Sequence, residues 1–184
     1  MIQDCRQKLF RLLKEKSFEK RRVVLSSGKE SDYYLDCRQT TLSAEGAAWV
    51  GRLVYERLRT WYPPIQAMGG PTLGADPIVT AVSLRSLECG DPIPGFLIRK
   101  KAKEHGTCQR IEGIKNLVSG AKVCVVEDVF TTGGSCLEAI EAVEEAGFTV
   151  VGAVALIDRE EGGMEKIRSK GYRAEALFKA SEFF

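Results

Sequence analysis

The sequence has little of several features that mark specialised classes of protein. It contains a single histidine, His105, and its six cysteines include no Cys-x-x-Cys pair, so the usual spacings of a zinc site are absent. No segment approaches the ~20 consecutive apolar residues needed to cross a bilayer, and the charged N-terminal segment lacks the apolar stretch of a signal peptide. These absences predict a soluble cytoplasmic protein with reduced thiols and no membrane partner.

An excess of charge of one sign is missing as well. Twenty-seven Lys and Arg against 25 Asp and Glu leave a formal net charge of +2. Proteins that bind nucleic acid generally present a strongly basic face, so we predict no nucleic-acid partner. Any site for an anion must therefore be built from a local group of residues.

The apolar pattern predicts a small N-terminal region followed by an α/β unit. Residues 2–16 have the spacing of an amphipathic helix, and residues 22–25 and 33–37 form two short extended runs around a turn. Ser43 is placed to cap a helix over residues 43–61. Short apolar strands then alternate with helices, which is typical of a mostly parallel sheet covered on both faces. We predict strands at 65–68, 95–98, 122–126 and 150–157 and helices at 76–87 and 134–146.

No linker divides the chain, so we predict one domain over residues 1–184 with an accessory region at residues 1–40. Residues 99–113 interrupt the alternation, because they are polar, strongly charged and without a period. A charge run is usually a solvated surface. Structureless segments of this length in compact domains are, however, usually functional or disordered.

The most informative stretch is VCVVEDVFTTGGS, at residues 123–135. An apolar strand leads into Glu127 and Asp128, and residues 131–135 then open a helix. Hydroxyls, backbone N–H groups at glycines and a helix N-terminus can hold a phosphate. The carboxylates would repel a phosphate but accept hydrogen bonds from neutral hydroxyls, which indicates a ribose 5-phosphate. Taken singly, the glycines could be a plain turn and the carboxylates a solvated strand end; their joint occurrence favours function.

The segment VVEDVFTTGGS resembles the phosphoribosyl diphosphate motif of type I phosphoribosyltransferases. RKKAKEHG at 99–106 and LSSGKESDYYLDCR at 25–38 resemble the orotate phosphoribosyltransferases of that family, and residues 69–76 match its pyrophosphate-side loop. This resemblance, over nearly the whole chain, implies a type I phosphoribosyltransferase-like α/β fold: a parallel sheet flanked by helices, with residues 1–40 as an accessory hood. Residues 99–113 would be a mobile catalytic loop.

The implied activity is that of a glycosyltransferase (pentosyltransferase). Such an enzyme transfers the ribose 5-phosphate group of 5-phospho-α-D-ribose 1-diphosphate (phosphoribosyl diphosphate) to orotate, giving orotidine 5′-phosphate and diphosphate in pyrimidine (UMP) biosynthesis. Lys103 and His105 are the implied catalytic residues, because cations near the departing diphosphate stabilise its charge. Thr131 and Arg159 are implied to contact orotate. The residues implied to bind phosphoribosyl diphosphate are Arg99, Lys100, Lys103, His105, Glu127, Asp128, Val129, Phe130, Thr131, Thr132, Gly133, Gly134 and Ser135.

The resemblance also implies Mg²⁺ as a cofactor, bound mainly through the substrate diphosphate and without a protein metal ligand. It further implies a homodimer with shared active sites. Two points stay open. Ser26 stands where some relatives carry a lysine, and Lys29 is a candidate substitute; Arg159 could instead pair with Glu160 or Glu161.

Two alternative functions are weighed against this one. A purine phosphoribosyltransferase is disfavoured by the RKKAKEHG loop. A non-catalytic sensor of phosphoribosyl diphosphate would use the same fold for binding alone, but the near-neutral charge gives no sign of an added nucleic-acid surface.

Overall fold

The computed structural model describes residues 2–24, 30–100 and 110–184. The N-terminal part consists of α1 (Ile2–Lys16), β1 (Phe18–Glu19), β2 (Val23–Val24), β3 (Glu30–Ser31), β4 (Tyr34–Leu35) and α2 (Arg38–Thr41). The rest of the chain forms α3 (Ala44–Leu58), β5 (Ala67–Pro71), α4 (Ala75–Glu88), β6 (Gly95–Ile98), β7 (Ile111–Glu112), β8 (Lys122–Phe130), α5 (Gly134–Glu145), β9 (Thr149–Asp158), α6 (Gly163–Ser169) and β10 (Arg173–Lys179).

A six-stranded sheet with the order β10-β9-β8-β5-β6-β7 forms the centre of the molecule. Neighbouring strands are parallel except for β7, which is antiparallel to β6. The sheet is flanked by helices, so the α/β fold predicted from the sequence is confirmed. No helix in the described parts of the chain is long and apolar enough to span a bilayer.

The two faces of the sheet bury different sets of side chains. On β8, Cys124 and Val126 face a core shared with α1, α3 and α4, whereas Val123 and Val125 face a second core under α5 and α6. This alternation follows from the period of two along a strand. Because both faces are covered, the strand is uniformly apolar here, and all four side chains are fully buried.

Helix predictions agree closely with the structure. The first helix has the predicted bounds, and Ser43 does cap α3, since its hydroxyl accepts a hydrogen bond from the Gly46 N–H at 3.2 Å. The predicted end of α3 at residue 61 is wrong, because the helix stops at Leu58. The chain then turns through backbone hydrogen bonds, which lets Trp61 pack into the core.

Strand ends were predicted less well. β8 does not stop at residue 126 but continues to Phe130, with Glu127 opposite Ala155 of β9. The prediction ended with the apolar run, whereas backbone pairing carries the strand through the carboxylates. Likewise β5 continues to Pro71, because Gly69 and Gly70 let the backbones of β6 and β8 approach where a Cβ would clash.

Some elements were not predicted at all. The sequence predicted neither the short strands β1 and β3 nor α2, α6 and β10, and it predicted no regular structure for residues 99–113, although β7 pairs with β6 there. The two runs predicted at 22–25 and 33–37 do not pair with each other in the described residues. Instead β2 pairs with β3, and β1 pairs with β4. The boundary of the accessory region at residue 40 stays a prediction.

Candidate active site

A cleft of about 600 Å³ lies at the carboxyl ends of β5, β6 and β8. Ligands of open α/β sheets bind at this edge, because the loops that follow parallel strands converge there. Among the described residues, twelve line the cleft: Leu35, Asp36, Arg38, Pro71, Thr72, Leu73, Gly74, Ala75, Lys100, Glu127, Asp128 and Ser135.

Glu127 and Asp128, here called the acidic floor, lie at the inner end of the cleft. Glu127 is 7% exposed. Burial raises its pKa to about 8, the charge of Asp128 adds to this effect, and a hydrogen bond with Ser135 opposes it. Burial also raises the pKa of Asp128, whose Oδ1 accepts the Val129 N–H at 2.9 Å. Desolvated carboxyl groups of this kind favour neutral hydroxyl partners over anions.

Residues 131–135, here called the phosphate cradle, connect β8 to the N-terminus of α5. Gly133 has a φ of +74°, and a Cβ at this position would lie 2.7 Å from the Gly163 carbonyl oxygen. A Cβ on Gly163 would in turn lie 2.5 Å from the Thr131 carbonyl oxygen. The loop therefore packs backbone against backbone on the start of α6. The first N–H groups of α5 have no partner within the helix and can bind an anion.

A second loop, from Pro71 to Ala75, forms the opposite wall of the cleft. Its Thr72 N–H donates to the Ile98 carbonyl oxygen at 3.0 Å, which fixes the loop to the end of β6. A Cβ on Gly74 would lie 2.6 Å from Asp128 Oδ1. Glycine at this position therefore allows the loop to approach the acidic floor.

Two cations lie at the outer edge of the cleft among the described residues, Arg38 and Lys100, here called the cationic rim. Lys100 lies two residues beyond the end of β6. Arg38 begins α2 and forms an ion pair with Asp36 at 2.8 Å. The cleft thus combines hydroxyl acceptors inside, a phosphate cradle beside them and positive charge at its opening.

The structure brings together part of the predicted site. Lys100, Glu127, Asp128 and Ser135 line the cleft, and residues 131–134 lie directly beside it along the chain. Lys103 and His105 lie in 101–109, outside the described residues, as do Ser26 and Lys29.

Three other residues predicted to bind phosphoribosyl diphosphate lie away from the cleft lining. Arg99 pairs with Glu112 across β6 and β7, with 3.3 Å between Nη1 and Oε1. The side chains of Val129 and Phe130 pack in the cores, and the Phe130 carbonyl oxygen already accepts the Arg159 N–H. Val129 and Phe130 could therefore contact a ligand only through their backbone atoms.

Arg159 is buried beneath the accessory region. Its Nε donates to Glu161 at 2.9 Å, its Nη2 donates to Ser31 Oγ at 3.0 Å, and its guanidinium lies 4.3 Å from the centre of the Tyr33 ring. The pairing with Glu161 that the sequence left open is therefore present. The predicted orotate contact stays a prediction, and the residue joins β9 to the accessory region.

Sequence reasoning missed two charged residues of the cleft, Asp36 and Arg38. The available signal was an acidic and a basic residue in Asp36-Cys37-Arg38, directly after an extended run. Nothing in the sequence, however, indicates that this pair meets the loop after β5. That meeting depends on how the accessory region packs on the sheet.

Comparisons with known proteins agree with this geometry. A family model described as a phosphoribosyl transferase domain matches residues 44–173. The orotate phosphoribosyltransferase of Sorangium cellulosum (strain So ce56) is 47% identical over 97% of this chain and 92% of that protein.

Solved structures are similar over the same extent. The orotate phosphoribosyltransferase of Mycobacterium tuberculosis H37Rv in complex with Fe(III) dicitrate has a TM-score of 0.83 and 42% identity, covering 97% of this chain and 98% of that one. The structure of the M. tuberculosis H37Rv enzyme with 5-phospho-α-D-ribosyl 1-diphosphate has a TM-score of 0.79 and 33% identity, covering 98% and 92%.

The fold, the cleft and the family model together define the class to which this chain belongs, the phosphoribosyltransferases. The sequence identity to these relatives, over nearly the full length of the chain, identifies the family within this class. Within it, the chain belongs to the orotate phosphoribosyltransferase family, as its sequence motifs predict.

Proposed function

We propose that this protein transfers the ribose 5-phosphate group from phosphoribosyl diphosphate to orotate, producing orotidine 5′-phosphate and diphosphate for pyrimidine biosynthesis. The observation that carries the proposal is the acidic floor beside the phosphate cradle. Glu127 and Asp128 accept hydrogen bonds from the ribose hydroxyls, while the N-terminus of α5 binds the 5-phosphate.

The reaction breaks the bond between the anomeric carbon and the diphosphate oxygen. Positive charge develops on the ribose ring, negative charge develops on the departing diphosphate, and a ring nitrogen of orotate then forms the new bond. Cations placed around the diphosphate lower this barrier. Lys100 of the cationic rim, together with Lys103 and His105 of the following segment, fills this role. Orotate has an acidic ring nitrogen, so the reaction needs no strong general base.

Mg²⁺ is the proposed cofactor. In the described residues no group of three or more His, Cys, Asp or Glu side chains is arranged to hold a metal. Magnesium readily binds phosphate oxygens and retains several waters, so the cleft fits an ion carried on the substrate. The acidic floor would accept hydrogen bonds from those waters. When bound, the ion would neutralise charge on the diphosphate.

An assay of orotate absorbance tests the proposed activity. With Mg²⁺ present, absorbance should fall only when phosphoribosyl diphosphate is added, and a chelator should stop the loss while the circular dichroism spectrum stays unchanged. Turnover with a purine base but not with orotate would show that the protein is a purine phosphoribosyltransferase instead. Binding of phosphoribosyl diphosphate without any turnover would favour a sensor.

We also propose a homodimer with shared sites, located in the cytoplasm. Mixing subunits that carry Lys103→Ala with subunits that carry Asp128→Asn tests the shared site. If the segment that contains Lys103 and the acidic floor of one site come from different subunits, a mixed dimer contains one intact site and regains part of the activity. If each site is built within one subunit, mixing restores nothing. For the location, the support is that the described cysteines are all free thiols, and a fluorescent fusion tests it.

A further inference from the structure

We propose that Arg38, oriented by Asp36, binds the diphosphate group of the donor substrate at the opening of the cleft. This inference deepens the proposed function and rests on it, because it adds a substrate-binding residue for that reaction. The proposal is based on the geometry of the Arg38 guanidinium, which pairs with Asp36 through one edge and faces the cleft with the other.

Asp36 fixes the position of the guanidinium. Its Oδ1 accepts Arg38 Nε at 2.8 Å, and its Oδ2 accepts Nη2 at 3.1 Å. The carboxylate is held in turn by the Arg38 N–H at 3.1 Å and by Gln39 Nε2 at 3.3 Å. These hydrogen bonds, the Arg38 side chain first among them, hold the pKa of Asp36 below its ordinary value. Two parallel bonds to a carboxylate restrict both the position and the plane of an arginine head.

The other edge of the guanidinium remains available. The Asp36 side chain is 12% exposed, whereas the Arg38 side chain is 44% exposed, so the pair presents its cationic end to solvent. A guanidinium has five N–H donors, and Asp36 takes two of them. Within the described parts of the chain, the remaining donors have no hydrogen-bond partner.

The wall opposite the phosphate cradle needs a cation from elsewhere. This wall is the chain from Pro71, which ends β5, to Ala75, which begins α4, and none of its residues is charged. Arg38 and Lys100 line the cleft beside this loop and are the cations that the described lining supplies. Burial raises the pKa of Asp128, and the Arg38 charge opposes that effect, so the arginine acts electrostatically on the inner end of the same cleft.

Arginine suits this position better than lysine would. Its planar fork can pair with a carboxylate on one edge and still offer paired N–H groups to phosphate oxygens on another. A purely structural role is the alternative, since Asp36 also accepts the first N–H of α2 and so stabilises the start of that helix. If Arg38 binds diphosphate, its loss should weaken the binding of diphosphate alone. If it only stabilises α2, its loss should weaken the binding of every ligand of the cleft to the same extent.

Isothermal titration of the full-length protein with inorganic diphosphate and with ribose 5-phosphate distinguishes the substrate-binding role of Arg38 from the structural one. In the presence of Mg²⁺, Arg38→Ala should weaken the affinity for diphosphate by about tenfold to a hundredfold, the size expected for a lost charge-assisted bond. The affinity for ribose 5-phosphate should stay near the wild-type value. Arg38→Lys should give an intermediate loss. In the enzyme assay the KM for phosphoribosyl diphosphate should rise while the KM for orotate does not.

Arg21→Ala is the matched control, because Arg21 also pairs with a carboxylate of the accessory region, Glu19 at 2.7 Å, but does not line the cleft. It should leave both affinities unchanged. Unchanged diphosphate affinity in Arg38→Ala, or equal losses for both ligands together with a lower melting temperature, would overturn the inference. Diphosphate binding is measured without orotate, so a wild-type protein that binds diphosphate but does not use orotate contradicts the proposed function and not this role. Wild-type protein that binds no diphosphate overturns both.

Discussion

The acidic floor and the cationic rim of the cleft are built in opposite ways. Glu127 and Asp128 lie on a nine-residue strand that has partners on both sides, and their carboxyl groups are desolvated. Arg38 is the first residue of the short helix α2, Lys100 lies two residues beyond the short strand β6, and both are exposed. Recognition of a sugar needs acceptors at fixed positions, whereas neutralising a diphosphate needs charge that long side chains can deliver from the surface.

This difference predicts how the two regions respond to mutation. A change in the floor or the cradle alters packed, desolvated groups, so it should affect the free energy of unfolding as well as binding. A change at the rim removes an exposed charge, so it should affect activity alone. We expect the same of the basic residues that follow Lys100 along the chain. Four experiments test this difference between the two regions.

Lys103→Ala tests the cationic side most strongly. Turnover should fall by about 100-fold to 1000-fold, because a group that stabilises the departing diphosphate is lost. The melting temperature should not change. Lys101→Ala, in the same segment, is the matched control and should have a much smaller effect on turnover. Full activity in Lys103→Ala would remove this residue from the mechanism.

Glu127→Gln tests the desolvation of the floor. The carboxyl group keeps its proton up to a pH of about 8 when folded but loses it near pH 4.5 when unfolded. The folded state therefore binds more protons in this window, and its stability falls as pH rises from 5 to 8. In Glu127→Gln this fall should be smaller by about 2–4 kcal/mol.

Urea denaturation of both proteins at several pH values measures this difference. Glu138→Gln, which removes an exposed carboxylate from α5, is the control and should keep the wild-type dependence. Identical pH dependence in the wild type and Glu127→Gln would contradict the assignment of a buried, protonated carboxyl group to the floor.

Gly133→Ala tests the packing of the cradle against α6. The substitution adds a Cβ to a left-handed residue and brings it against the Gly163 backbone, so unfolding should become easier by about 2–3 kcal/mol. Gly147→Ala is matched in backbone conformation, with a φ of +86°, but its Cβ would meet nothing within 4 Å. It should cost only about 1 kcal/mol. Equal losses in urea denaturation would show that crowding at the cradle has no effect.

Asp128→Asn tests the contact between the acidic floor and the ribose hydroxyls. Of the three variants in the floor and the cradle, it should disturb the fold least. The amide oxygen can still accept the Val129 N–H, so the strand end should be kept. Affinity for phosphoribosyl diphosphate should fall about tenfold, because a charged acceptor for ribose hydroxyls becomes a neutral one. Titration calorimetry measures this, with Asp91→Asn as a control outside the cleft. Unchanged affinity would contradict the ribose assignment.

Local patterns predicted the longer elements well. The bounds of α1 and β6 and the cap at Ser43 follow from hydrophobic period and side-chain chemistry, which act within a few residues. The end of β8 does not follow, because Glu127 interrupts the apolar pattern while the pairing with β9 continues. The strand β10 was missed for a similar reason: charged residues alternate through it, and only its partner β9 defines it.

The family and the residues of the cradle and the floor could be predicted from the amino acids alone, because these residues are contiguous along the chain and their types indicate their chemistry. Tertiary structure decided what lies opposite them. It brought Arg38 and Asp36, about ninety positions before the floor, to the uncharged loop after β5, and it buried Arg159 against Ser31 and Tyr33. Contacts of this kind depend on how the accessory region packs on the sheet, and packing joins residues without regard to their separation in sequence.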